Sequence, residues 1–215
     1  MSIFDSSFEN LLPSYLLNTD KSRIKKGLEQ FFLPENRQKE KVYVDFYLLS
    51  PQDYLMQSDV LNSIRSIDWD DNIKDYITGF TPAVLLSNSC DISTENIRGL
   101  NKKEVLFAPI VPLDEIIKDY KESRFSVDQI STFQTTLKNQ EYTNLFYLPP
   151  NEKNKKEYVV YLDKIFWHPV SELKKVIDNL NESRFISLSH FGHYLFITKL
   201  SIHLCRVPEE LERRD

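Results

Sequence analysis

The chain has 215 residues, 41% hydrophobic and 13% aromatic, enough for one domain with a full core and too apolar for a disordered chain. Its 27 Lys and Arg stand against 32 Asp and Glu, a net charge of −5 that repels phosphate and confines any nucleic-acid role to a local patch. Only four glycines occur where average usage of about 7% would place roughly fifteen, and with no GxGxxG, GxxxxGK(S/T) or GxSxG pattern the glycine-rich phosphate loops and the hydrolase elbow are excluded.

Residues 5–33 read as helix, with Phe8, Leu11, Leu12, Tyr15 and Leu16 at helical spacing around Pro13. Asp20 then caps a stretch whose apolar face is Ile24, Leu28, Phe31 and Phe32. Pro34 and the polar run ENRQKEK end it, so residues 1–40 form an N-terminal helical arm that packs on the main domain or on a partner. VYVDFYLL (42–49) reads as a strand and DVLNSIRSID (59–68) as another, followed by WDDNIKDYITG (69–79) as a polar loop. TPAVLLSN (81–88) and EVLFAPIVPL (104–113) read as buried strands, with Gly99-Leu100-Asn101 in the turn between them. DEIIKDYKES and SVDQISTFQTTL are helical, Ser126 capping the second. NLFYLPP (144–150), EYVVYL (157–162) and KIFWHPV (164–170) read as a strand meander, SELKKVIDNL (171–180) as a helix capped by Ser171, and RFISLS (184–189) as a last strand. Residues 190–207 carry two patterns. Leu200, Ile202 and Leu204 alternate as in a strand, but apolar residues fall almost all round over 188–207, which favours a helix buried on most sides and ending before Pro208. The domain thus spans 41–208, with a polar tail at 209–215.

Several short motifs stand out in fixed order: Gln57-Ser58-Asp59-Val60, Leu85-Leu86-Ser87-Asn88-Ser89-Cys90-Asp91-Ile92, Ala108-Pro109-Ile110, Tyr147-Leu148-Pro149-Pro150, Arg184-Phe185-Ile186-Ser187-Leu188-Ser189, and Cys205-Arg206-Val207-Pro208. Together they resemble the MazF/PemK superfamily of SH3-like β-barrels, best known as toxin ribonucleases. The closer likeness is to a bacterial branch with a Leu-Ser-x-x-Cys-Asp strand end. The resemblance implies an α+β fold: an SH3-like, MazF/PemK-type β-barrel with inserted helices and a C-terminal helix. It also implies membership of a bacterial toxin–antitoxin or phage-defence module. Ribonucleases of that superfamily carry a basic residue where Thr81 stands and a hydroxyl where Val111 stands. Neutralising and positioning the phosphate during attack of the 2′-oxygen therefore lacks its usual residues. The expectation is a non-catalytic or regulatory member acting through protein contacts. An RNA-cleaving or nucleic-acid-binding toxin with a rearranged site is the alternative.

A third reading is an enzyme centred on Cys90. With Asp91 it follows a buried strand, a place suited to a nucleophile or metal ligand; the other reading is a small buried side chain with Asp91 capping the turn. Asp59 and Arg206 complete a candidate polar site, or meet as a structural ion pair. Cys90, Cys205, His190, His193 and His203 do not fall at a recognised zinc spacing, so no metal or cofactor is expected. Lys21, Arg23, Lys25, Lys26, Lys153, Lys155 and Lys156 read as solvated surface, and Trp69 and Trp167 as core. Two cysteines are too few for a disulfide framework, and neither a signal-like start nor a long apolar run is present. A cytoplasmic protein with a protein partner or a homodimeric state is therefore expected, with no membrane contact.

Overall fold

The computed structural model of the chain describes residues 18–19, 21–22, 24–26, 43, 45–92, 104–151 and 154–205. The architecture is α+β. Among the described residues, seven strands form an antiparallel sheet: β1 (Val60–Asp70), β2 (Asp75–Leu85), β3 (Glu104–Pro112), β4 (Leu145–Leu148), β5 (Tyr158–Tyr161), β6 (Phe166–Pro169) and β7 (Arg184–Ile186). Their order is β4-β5-β3-β2-β1-β7, and this sheet does not close on itself. β5 and β6 both pair with the same edge of β3, β5 against Ile110–Pro112 and β6 against Glu104–Phe107, so they run along it as one interrupted strand. The helices are α1 (Ser89–Ile92), α2 (Leu113–Glu122), α3 (Val127–Lys138), α4 (Val170–Asp178), α5 (Leu180–Ser183) and α6 (His190–Leu204).

Strand alternation sorts the side chains into separate cores. Val60, Val84, Ala108, Ile110 and Val160 meet Leu195, Phe196 and Leu200 of α6. Their neighbours Leu61, Ala83, Leu85, Val105 and Phe107 turn the other way, toward Leu173 of α4 and Leu180 of α5. Val159 joins Leu145 and Tyr147 in a third core beneath α2 and α3. A helix is observed within the expected 190–207, over His190–Leu204, but it buries one stripe and not most of its sides: Phe191, Gly192, Leu195, Phe196, Lys199 and Leu200. The Ser126 cap is also present, as a full capping box with Gln129. Ile24, from the expected arm, is 1% exposed in the α6 core. The rest of the arm beyond 18–26, the Gly99-Leu100-Asn101 turn and the 209–215 tail lie outside the described residues.

Three expectations need correction. Among the described residues of the strand expected over 42–49, 43 and 45–49, the pairing is a single bridge, Tyr47 to Leu188, and Asp45 adopts a left-handed φ of 53° that breaks the extended run. The polar loop expected over 69–79 is mostly hairpin: Asp70 pairs with Asp75 across a four-residue turn. The Asp70 carboxylate accepts the Asn72 amide at 2.8 Å, and Lys74, at φ 54°, returns its amide to the Asp70 carbonyl at 2.8 Å. The helix expected to be capped by Ser171 starts one residue earlier, at Val170, with Pro169 as its cap. α2 begins in the same way from Pro112, so a strand-ending proline launches each helix.

Candidate functional site

Three of the motifs converge where β1 begins. The Gln57 amide donates to Ser89 Oγ at 2.9 Å, and its side-chain amide donates to the Leu86 carbonyl at 2.5 Å. Ser58, in left-handed conformation at φ 72°, donates its amide to the Leu85 carbonyl at 2.8 Å. This conformation turns Asp59 inward, where it is 1% exposed. Its Oδ2 accepts from the Met56 amide at 2.8 Å and from Arg184 Nη1 at 2.9 Å, and its Oδ1 accepts from Ser187 Oγ at 2.5 Å. Arg184 also donates to the carbonyls of Tyr54 at 3.0 Å and Gln52 at 2.5 Å. The guanidinium thus pins the 52–59 loop onto β7. Burial pushes the Asp59 carboxyl above its ordinary range, opposed by the hydrogen bonds from Ser187, Met56 and Arg184.

A second polar pair lies beside it. Ser58 Oγ is hydrogen-bonded to His193 Nδ1, from the first turns of α6. Burial, helped by the nearby His190, lowers the His193 pKa to about 4, so the ring is neutral near pH 7 and Nδ1 can accept the Ser58 proton. Ser58 is fully buried, which leaves its hydroxyl no approach for a substrate. Further along α6, Lys199 is 2% exposed and donates to the Gln140 carbonyl, and burial lowers its pKa to about 8. The Gln140 side chain in turn bonds both backbone groups of Tyr147, at 2.8 and 3.1 Å, acting as a short extra strand at the sheet end.

Gly192 holds α6 against this region. A Cβ there would overlap the Phe46 carbonyl oxygen, a backbone atom that cannot swing aside. Gly192→Ala should therefore cost about 1–3 kcal/mol, measured by urea unfolding; an unchanged midpoint would show that the 46–48 segment moves freely off the helix.

Two clefts flank that segment. One, of about 320 Å³, is lined by Leu49, Pro51, Asn151, Asn181 and Phe185. The other, of about 360 Å³, is lined by Ile24, Asp45, Ser189, His190 and Phe191, and Tyr47, Leu48 and Leu49 line both.

The four residues singled out from sequence are placed differently from one another. Asp59 is sealed in the ion pair. Cys90 is exposed on the one-turn helix α1, its amide held by Asn88 Oδ1 at 3.0 Å, so the reading of it as a buried apolar side chain is corrected. Asp91 lies in the same turn. Arg206 lies outside the described residues, and the cation beside Asp59 is Arg184. Among the described residues, no group of three or more His, Cys, Asp and Glu is placed to hold a metal ion. Sequence reasoning missed Arg184, Ser187, the Ser58–His193 pair and Lys199 as members of buried polar networks. The available signal was charge inside apolar runs: Arg184 opens RFISLS and Lys199 sits in the α6 stripe.

A different surface is conspicuous for its lack of cover. β1 and β2 extend past the sheet as a two-stranded ribbon, and residues 71–80 are all exposed. Phe80 is 75% exposed and Tyr76 69%, with Ile67, Ile73 and Ile77 also open to solvent. The register Arg65 to Phe80, Ile67 to Thr78 and Trp69 to Tyr76 places Phe80, Ile67 and Tyr76 on one face of the ribbon. Trp167, expected in the core, is likewise exposed. No helix among the described residues is long and apolar enough to cross a membrane. No family model and no curated protein matches the chain.

Proposed function

We propose that the chain is a MazF-like protein of a bacterial toxin–antitoxin or phage-defence module, one that works through protein contacts and does not cleave RNA. The observation that carries this reading is the ribbon: a monomer rarely leaves Phe80, Tyr76 and Ile67 together on an uncovered face unless a protein docks there. The polar residues that might have served catalysis support it from the other side. Asp59 has both oxygens occupied, and Ser58 is buried. Thr81 and Val111, at the positions where the resembled ribonucleases keep a basic group and a hydroxyl, are half-buried, and Val111 packs on the third core. The strand course is compatible with a variant of the SH3-like barrel. β6 returns along β3 toward β1, where His168 Nδ1 meets the Arg65 carbonyl at 3.3 Å. The cytoplasm is the compartment that fits two exposed cysteines outside any disulfide.

The test has two arms. Purified protein incubated with total RNA is expected to leave it intact. Co-expression with the products of the adjacent genes is expected to give a complex that Phe80→Ser with Ile67→Ser disrupts. Cleaved RNA, or a complex indifferent to both substitutions, would remove the basis of the proposal.

A further inference from the structure

The ribbon's outer edge carries a more specific message than its exposure. Leu85 directs its amide to the Asp59 carbonyl on the β1 side, and Leu86 directs its amide to Leu106 on the β3 side. Alternation along an antiparallel strand then points the backbone groups of Tyr76, Thr78 and Phe80 away from β1. β3 pairs with β2 only at Ala83–Leu85, so no described strand lies along this edge between Asp75 and Pro82. Pro82 has no N–H and bounds the edge. The three outward-facing residues are symmetric about Thr78.

We infer that this edge pairs with the same edge of a second copy of the chain, antiparallel about a two-fold axis at Thr78. The inference rests on the reading of the ribbon as a protein-contact element. In that register Thr78 faces Thr78 of the partner subunit, and each Phe80 faces Tyr76 of the partner subunit. The Tyr76 amide exchanges its own Asp75 carboxylate, now at 2.7 Å, for a carbonyl across the axis. Aromatic residues opposite one another are favourable cross-strand pairs, and like charges opposite one another are not. Here Asp75 falls opposite Thr81 of the partner subunit, so no like charges meet. The ribbons join as a four-stranded sheet whose apolar face is continuous across the axis, which removes the exposed edge that natural sheets otherwise guard. A shift of the axis to Ile77 would set Phe80 against Lys74 of the partner subunit and lose the aromatic pairs, so the sequence favours Thr78.

Light scattering of the full chain during size exclusion reads the outcome. At about 100 μM, where mass action favours association, the expected mass is twice the 25.4 kDa of one chain. Thr78→Pro removes an outward-facing amide and leaves the β1–β2 ladder intact, so it is expected to halve the mass with unchanged circular dichroism. If that variant is unfolded, Phe80→Lys at its exposed position is read instead, with the same halving expected. A single-chain mass for the unaltered protein, or a double mass for the folded variants, overturns the self-pairing. A single-chain protein that still captures an adjacent gene's product overturns the self-pairing alone and leaves the protein-contact reading standing.

Discussion

Arg184→Met is expected to destabilise the folded chain by about 3–5 kcal/mol, because it leaves a buried carboxylate without its cation. The expectation follows from geometry. Asp59 and Arg184 are 1% and 2% exposed at their side chains and 2.9 Å apart. Neither can regain water when the other is removed. The guanidinium also satisfies the Tyr54 and Gln52 carbonyls, so its loss frees the 52–59 loop as well as the carboxylate. Asp59→Leu should be comparably costly, since it strands the guanidinium instead. The double variant Asp59→Leu with Arg184→Met should recover much of the loss, because no charge then remains buried. Burial already raises the Asp59 pKa. Without Arg184 the carboxyl rises further and takes up a proton more easily in the folded state, so the single Arg184→Met variant should be less impaired in acid than at neutral pH. Urea unfolding of the four proteins checks this. Single losses under about 1 kcal/mol would mean that the pair behaves like a surface bridge and that the region is open to water.

The same pair shows what the sequence made legible and what it did not. The motif Gln57-Ser58-Asp59-Val60 marks the right place, and an ion pair at Asp59 was one of two readings. The partner could not be identified, because a buried cation is selected by three-dimensional register. Arg184 reaches Asp59 only because β7 pairs with β1, Val60 opposite Ile186 and Leu61 opposite Arg184. Pattern served best where an element packs in the core: β3 and the paired end of β2 carry buried alternating residues, and the apolar run of α6 marks a core helix. It failed at the ribbon for a physical reason. Residues 75–80 show strand-forming Tyr76, Ile77 and Thr78 but bury nothing, so the Asp-rich tip dominated and the segment read as loop. It failed at 42–49 for the opposite reason: the residues are apolar and strand-like, and Asp45 in the left-handed region spends them on lining a core instead of joining the sheet. Cys90 stands out by its residue type, yet Lys199, a cation held in place inside the fold, lies in an apolar stretch that sequence alone presents as ordinary core.

His193 should make the protein lose stability as pH falls from about 6.5 toward 4. In the unfolded chain its imidazole takes up a proton near its ordinary 6.5, whereas in the folded chain burial holds the pKa to about 4. Between those values the unfolded state binds more protons, so acid favours unfolding. The contribution is complete above 6.5 and is lost progressively down to about 4. The full shift corresponds to roughly 3 kcal/mol, and partial solvent access of the ring brings the expected loss to about 2 kcal/mol. Two other buried groups with shifted pKa values bear on the same curve. His168, also lowered by burial, acts in the same direction. Asp59 acts in the opposite one: its pKa is raised, so its protonation favours the folded state as pH falls. Comparing the unaltered chain with His193→Gln cancels both, since they remain in each protein. The glutamine keeps an acceptor for the Ser58 hydroxyl and cannot titrate, so its stability curve should be flatter across the window by up to about 1.4 kcal/mol per pH unit. Ser58→Ala separates charge from contact: it removes the hydrogen bond but leaves a titrating ring, so the acid loss should persist on a lower baseline. Parallel curves for the unaltered chain and His193→Gln would mean that the ring is solvated in the folded protein and that α6 does not seal the start of β1.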